Sequence, residues 1–214
     1  MSQHAELQKK TLKTLTAAQI GAGVGTAGTV AAGSLLVASI TGSEELAGLA
    51  QTFSVLGAAA LALPLARLTA KGGRRTALSF GYAAGVLGSV FAILGGVHSN
   101  IFLMLSGSFL VGSASASAYQ ARFAAIDLVE EAHRAKQLSY VVWGSTVGAV
   151  TGPNLMSPAG DLAEHFGLPR LTGPYMISAT TLTLASLLIY IFLKPDPYLT
   201  ALGEGKSYAA GKSI

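Results

Sequence analysis

Apolar runs separated by short polar gaps make up most of the chain. Runs at Leu15–Ile40, Leu46–Leu68, Thr76–Val97, Ile101–Ala124, Leu138–Ser157 and Thr172–Leu193 predict six helices. Each is long enough to cross a hydrocarbon core of about 30 Å, which takes roughly 20 helical residues. A β-barrel also satisfies its backbone in lipid, but its strands alternate apolar and polar residues over about 10 positions, and these runs do not alternate. Lys9, Lys10 and Lys13 before the first run, and Val37-Ala38-Ser39 near its end, imitate a secretory signal. The run is about twice the length of a signal's apolar region and five more follow, which predicts an uncleaved anchor.

The gaps carry the charge, and carry it unevenly. With the N-terminus inside, all but one of the fourteen Lys and Arg residues fall on one face of the membrane: Lys9, Lys10, Lys13, Arg67, Lys71, Arg74, Arg75, Arg122, Arg134, Lys136, Lys194, Lys206 and Lys212. Arg170 alone falls on the other. Basic loops stay in the cytoplasm, so both termini are expected there. The domain reading is a cytoplasmic N-terminal segment (1–14), a six-helix transmembrane domain (15–193), and a cytoplasmic tail or the start of a central loop (194–214). Short outer turns are expected near Thr41–Glu45 and His98–Asn100, and a longer amphipathic inner link over Arg122–Gln137.

Composition agrees with lipid as the solvent. Of the 214 residues 51% are hydrophobic and 11% charged, against about 25% charged in soluble domains. The net charge of +4 is spread through the gaps instead of clustering on one face with aromatics interleaved, which excludes a nucleic-acid partner. With no cysteine, thiol catalysis, thiolate metal sites and disulfides are all excluded. His4, His98, His133 and His165 are scattered, so no metal or other cofactor is expected. Gly203-Glu-Gly205-Lys206-Ser207 and Gly211-Lys212-Ser213 imitate a phosphate-binding loop, but the glycine expected five residues earlier is Thr200 or Lys206, and no strand precedes either. Glu131-Ala132-His133 is likewise a poor match to the loop of an ATP-driven importer's permease.

Glycine indicates how the helices pack. The 26 glycines would weaken soluble helices, but in lipid small residues four apart let backbones approach closely. Gly21, Gly25, Thr29 and Gly33 make one such face, Gly81 and Gly85 begin a second, and Gly144, Gly148 and Gly152 make a third. Such faces serve static packing, or let the first, third and fifth helices rock during a transport cycle.

Three segments carry more specific patterns. The gap after the second run reads Ala66-Arg67-Leu68-Thr69-Ala70-Lys71-Gly72-Gly73-Arg74-Arg75. The fifth run reads Gly144-Ser-Thr-Val-Gly148-Ala-Val-Thr-Gly152-Pro153-Asn154, where proline removes a backbone hydrogen bond and flanking glycines admit a partner to the bend. Between them lies Gln120-Ala-Arg122-Phe-Ala-Ala-Ile-Asp127-Leu-Val-Glu130-Glu131-Ala-His133-Arg134. Together these resemble the major facilitator superfamily. Lys71, Gly73, Arg74 and Arg75 match the basic half of its G-x-x-x-D-R-x-G-R-R/K loop, whose aspartate is here Ala70. Gly148, Gly152 and Pro153 match its G-x-x-x-G-P element, and Asp127 and Arg134 its acidic and basic pair after the fourth helix. The arginine the family places inside that helix appears as Ser108, which argues against proton coupling through this half.

The resemblance implies an all-α half bundle in which helices 1–3 and 4–6 are repeats related by inversion, in a bacterial plasma (inner) membrane. It implies secondary transport of a small solute by alternating access, with a second six-helix half or a homodimer partner completing the path, and no enzyme activity. Asp127, Glu130 or Glu131 is expected to pair with the basic turn in a cytoplasmic charge cluster. No Asp, Glu or Lys lies mid-span, where ionisable groups mark ion relays, so a hydroxyl-lined or apolar cavity is expected, with Gln19, Thr26, Gln51, Ser54, Tyr119 and Asn154 as candidate lining groups. The rival reading is a six-helix membrane subunit that assembles with a partner and does not itself transport. Substrate, coupling ion and direction are not encoded legibly.

Overall fold

Alanine, glycine and serine are frequent in the interior beside a few large apolar side chains, and many large apolar residues cover the exterior, unlike a water-soluble bundle. The computed structural model describes residues 3–203, and the glycine-lysine tail patterns lie outside them. The order is α1 (Gln3–Thr41), a 3-10 turn (Glu44–Leu46), α2 (Leu49–Val97), α3 (Ile101–Ala124), α4 (Glu131–Asn154), α5 (Met156–His165), a second 3-10 turn (Arg170–Thr172) and α6 (Gly173–Phe192). A last helical turn occupies 197–203. Among the described residues no strand occurs, and four helical stretches are long and apolar enough to cross a membrane: Glu6–Thr41, Glu44–Val97, Ile101–Ala124 and Arg170–Gly203.

The 49 residues of α2 do not form one rod. Gly73 stands at φ 80° and ψ 173°, a conformation essentially reserved for glycine, and it divides α2 into an N-terminal arm and a C-terminal arm. Both arms pack on α3. In the first, Gly57 abuts the Phe109 carbonyl and Ala62 accepts from Gln120; in the second, Gly88 faces Gly107 and Gly95 faces Met104. Pairings advance in step along the N-terminal arm and run in reverse along the other, so the arms are antiparallel and meet at Gly73. The predicted gap over Thr69–Arg75 is therefore a single backbone break, with helix on both sides.

The remaining boundaries follow capping and turn chemistry. Asn100 closes the turn between α2 and α3, its side chain accepting from the Phe102 and Leu103 amides at 3.0 and 3.1 Å, which satisfies donors a helix start leaves orphaned. The inner link is shorter than expected, because α4 is already helical at Glu131. Two apolar clusters form the core. One, around Leu15, Leu78, Tyr82, Val141, Leu182 and Ile189, lies towards the Gly73 end; the other, around Leu36, Val37, Ala92, Met104 and Tyr175, lies towards the Asn100 end. Hydrogen bonds between helices join them: Ser113 Oγ donates to the Gly81 carbonyl at 2.7 Å, Ser186 Oγ to Ser79 at 2.9 Å, and Ser89 and Ser178 share one at 3.0 Å. Phe80, Leu87, Phe102, Trp143 and Val150 point outward, each more than half exposed, as lipid-facing residues do.

Candidate functional site

A groove runs along α1 between the N-terminal arm of α2, α3 and α4. It is made of two recesses that share Thr26, Ala27 and Ser115. The one nearer the Asn100 end has a volume of about 140 Å³ and is lined by Thr26, Thr29, Gln51, Ser54, Ser108 and Tyr175 among others. The one nearer the Gly73 end, about 310 Å³, is lined by Gln19, Thr26, Tyr119, Arg122, Ser145 and Thr146 among others. Thr26 and Thr29 donate to the carbonyls of Ala22 and Thr26 at 2.8 and 2.7 Å, the back-bonding that lets a hydroxyl sit on an apolar helix. Gln19 is fully buried and cross-links three elements: it donates to the Ala118 carbonyl at 3.1 Å and accepts from Tyr82 at 3.0 Å.

Five of the six expected lining residues, Gln19, Thr26, Gln51, Ser54 and Tyr119, thus meet in the groove. Asn154 does not, because its amide donates back to Val150 at 2.7 Å at the end of α4. Thr29, Ser108 and Tyr175 belong there too. The spacing of Thr26 and Thr29, and of Ser108 and Ser115, on helix faces otherwise rich in Gly, Ala and Val is the signal that could have found them.

At the Gly73 end, charge holds the helices together. Arg74 makes a two-pronged contact with Asp127 at 2.9 and 3.2 Å, and both side chains are 14% exposed, so this pair is shielded beyond the ordinary surface ion pair. Glu130 and Glu131 are exposed and take no part in it. Arg134 is exposed as well and donates to the Val129 carbonyl at 3.1 Å, so the sequence spacing of Asp127 and Arg134 is not a side-chain pairing. Lys71 is exposed.

The aspartate missing at Ala70 has a counterpart from far along the chain. Asp196, between Pro195 and Pro197, accepts from the Arg75 backbone amide at 2.7 Å. Its other oxygen caps the final turn, accepting from the Tyr198 and Leu199 amides at 3.0 and 3.2 Å. Its carboxylate occupies the space a Cβ at Gly73 would need. Around it, Arg74 stacks on Tyr198 and Arg75 on Tyr190, at 5.5 and 4.7 Å from the ring centroids. The clamp therefore ties the break in α2 to the ends of both α3 and α6. Asp196 was not selected in the sequence, although an acidic residue between two prolines after an apolar run is a recognisable cap signal.

Glycine sets the seam between α1 and α4. A Cβ on Gly144 would meet the Thr16 carbonyl at 2.8 Å, one on Gly148 the Ile20 carbonyl at 2.5 Å, and one on Gly152 the Gly28 nitrogen at 2.9 Å. The facing residues on α1 are Gly23 and Gly28, whereas Gly21, Gly25 and Gly33 turn towards α6. Pro153 lies inside α4, next to its last residue Asn154, and the helix breaks at Leu155, where ψ is −2°. α5 starts at once, and Pro153 borders a separate recess with Ser157 and Arg170. There Arg170 pairs with Asp161 at 2.6 Å and Glu164 at 2.9 Å.

The fold is a helical bundle with helices long and apolar enough to cross a membrane, and a groove lined by hydroxyl, amide and apolar side chains runs along one wall. The chain belongs to the Major Facilitator Superfamily, whose profile matches residues 15–211. It is 37% identical over 195 residues to the uncharacterized MFS-type transporter YdeG of Bacillus subtilis, covering 91% of this chain and 45% of the relative. It is 35% identical over 192 residues to a second such protein of that bacterium, YddS, covering 90% and 44%. The riboflavin transporter RfnT of Brucella anthropi is 28% identical over 127 residues, 59% of this chain and 32% of the relative. The chain thus spans less than half the length of the relatives it matches. No solved structure matches it significantly.

Proposed function

We propose that the chain forms six membrane crossings and one wall of the solute path of a secondary transporter that works by alternating access. Glu44–Val97 spans 54 residues, roughly 80 Å of helix at 1.5 Å per residue against about 30 Å of hydrocarbon, so the reversal at Gly73 divides it into two crossings. α4, with 24 residues, is long enough for another, its lower hydropathy coming from the glycines and hydroxyls of seam and groove. In this reading α1 and the two arms form one three-helix repeat, and α3, α4 and α6 form the inverted other. Both termini face the cytoplasm of a bacterial cell, and a second six-helix half covers the groove. The transporter-named relatives favour this over a non-transporting subunit.

The observation that carries the proposal is the pair of neighbouring recesses along α1 that share Thr26, Ala27 and Ser115 and are lined by hydroxyl, amide and apolar side chains. The Arg74–Asp127–Asp196 clamp lies within the chain and fastens its two repeats into a body that moves as one. Because the chain has no cysteine, Thr26→Cys, Ser115→Cys and Thr146→Cys each give a single reactive site. A membrane-impermeant maleimide is expected to label all of them in intact vesicles of the assembled transporter. Labelling by lipid-soluble maleimides alone would mean that the groove faces lipid and is no solute path.

A further inference from the structure

Among the described residues Arg122 is the one charged residue lining the groove, and it has no hydrogen-bonding or ion-pair partner there. It sits in the last turn of α3, where the carbonyl end of the helix favours a cation but offers no fixed acceptor to the side chain. Its Nε is buried without a hydrogen-bond partner, and among the described residues no carboxylate pairs with the guanidinium. Tyr119 holds the guanidinium on its ring face, Cζ lying 4.9 Å from the centroid. Gln19, Ser145 and Thr146 line the same 310 Å³ recess, and no acidic side chain does. Leaving a buried guanidinium donor unpaired is costly, so the recess is organised for an acceptor that the described residues do not supply.

We infer that Arg122 and Tyr119 form a receptor for the carboxylate of a small organic acid entering the groove. A planar guanidinium matches a carboxylate by two parallel hydrogen bonds. One guanidinium balances one negative charge, which fits a monocarboxylate better than a phosphate dianion. The hydroxyls of Ser145 and Thr146 and the tyrosine ring meet the polar and apolar parts of the body attached to it. This rests on the groove being a solute path and adds the class of solute.

Phenylglyoxal modification of Arg122, followed by peptide mass spectrometry in nanodiscs of zwitterionic lipid, tests it, with the exposed Arg67 as internal control. Benzoate is expected to slow modification at Arg122 and not at Arg67, while neutral benzamide has no effect. In parallel, Arg122→Gln should weaken equilibrium benzoate binding by about tenfold, the scale of one charge-assisted hydrogen bond, and Arg122→Lys should restore part of it. Since the protection assay uses the unaltered chain, it decides even where Arg122→Gln does not fold. Equal protection by benzamide, protection of Arg67 as well, or no protection by benzoate would overturn the inference. So would protection by phosphatidylglycerol with no solute present, which would make Arg122 a lipid-headgroup anchor. Saturable transport of a neutral solute with Arg122 unprotected would end this inference and leave the transport reading standing; benzoate protection with no uptake by the assembled two-half protein would do the reverse.

Discussion

The inner clamp depends on Gly73 and on Asp196, an aspartate that lies 121 positions from Arg75 in sequence. At Gly73 the backbone is in a region that side chains avoid, and a methyl group would also displace the Asp196 carboxylate. Gly73→Ala is therefore expected to cost at least about 1–3 kcal/mol, read as a lower apparent Tm in detergent, whereas Gly42→Ala, at a positive φ but with open space around it, should cost less. Asp196→Ala removes the acceptor for the Arg75 amide and the cap of the final turn, a loss of about 1–3 kcal/mol. Asp196→Asn keeps one acceptor oxygen and puts an NH2 donor in place of the other, so it should recover only part of the loss; destabilisation equal to that of Asp196→Ala would show that the clamp needs both carboxylate oxygens. The basic side of this cluster was legible because Lys71 to Arg75 form a local pattern, and Asp127 was within reach of the same argument. Asp196 was not, because its role depends on where α6 ends in space. The family's aspartate position is here Ala70, yet the fold supplies a carboxylate to the same turn from the segment after α6.

Helix packing was legible as faces but not as partners. Glycines four apart predict close approach, and Gly144, Gly148 and Gly152 do make the α4 face of the seam with α1. The α1 face, however, is made by Gly23 and Gly28, while the more regular Gly21, Gly25 and Gly33 series faces α6. A helix with glycine on two sides carries two seams, and spacing alone does not say which neighbour each one meets. Helix ends were misjudged for a related reason: hydropathy marks where lipid begins, whereas helix continues until a cap, glycine or proline stops it. That is why α1 extends back to Gln3 and α4 to Glu131. At Gly148 any side chain must push α1 away, since even a Cβ lies 2.5 Å from the Ile20 carbonyl and 2.7 Å from the Gly23 Cα. Gly148→Leu is expected to lower the apparent Tm of the chain and transport by the assembled protein, while Gly203→Leu, with open space around it, should leave both unchanged. If the two substitutions behaved alike, the α1–α4 seam would not be a determinant of packing.

For the whole molecule, the charge bias and the groove together set what this chain does alone. The bias predicts that Glu44→Cys and His165→Cys, both exposed, react with impermeant maleimide only from outside the cell, and Lys136→Cys only from the cytoplasm. Labelling of Glu44→Cys and Lys136→Cys from the same side would require an odd number of crossings wrongly assigned between them. With that topology, hydroxyls of the groove and the Arg122 guanidinium lie on a face that six crossings do not enclose. Gln51, Tyr119 and Thr146 line the groove yet remain exposed, and in hydrocarbon polar groups seek a protein partner or water. The relatives, about twice as long, have chain to spare for a second wall. Residues 1–214 alone, reconstituted at high dilution and verified as monomers by single-molecule photobleaching, are therefore expected to show no saturable solute uptake. Supplying a second six-helix half, or conditions under which two copies associate, should restore it. Saturable uptake by verified monomers would place the entire path within six helices and remove the reason for treating the groove as one wall of two.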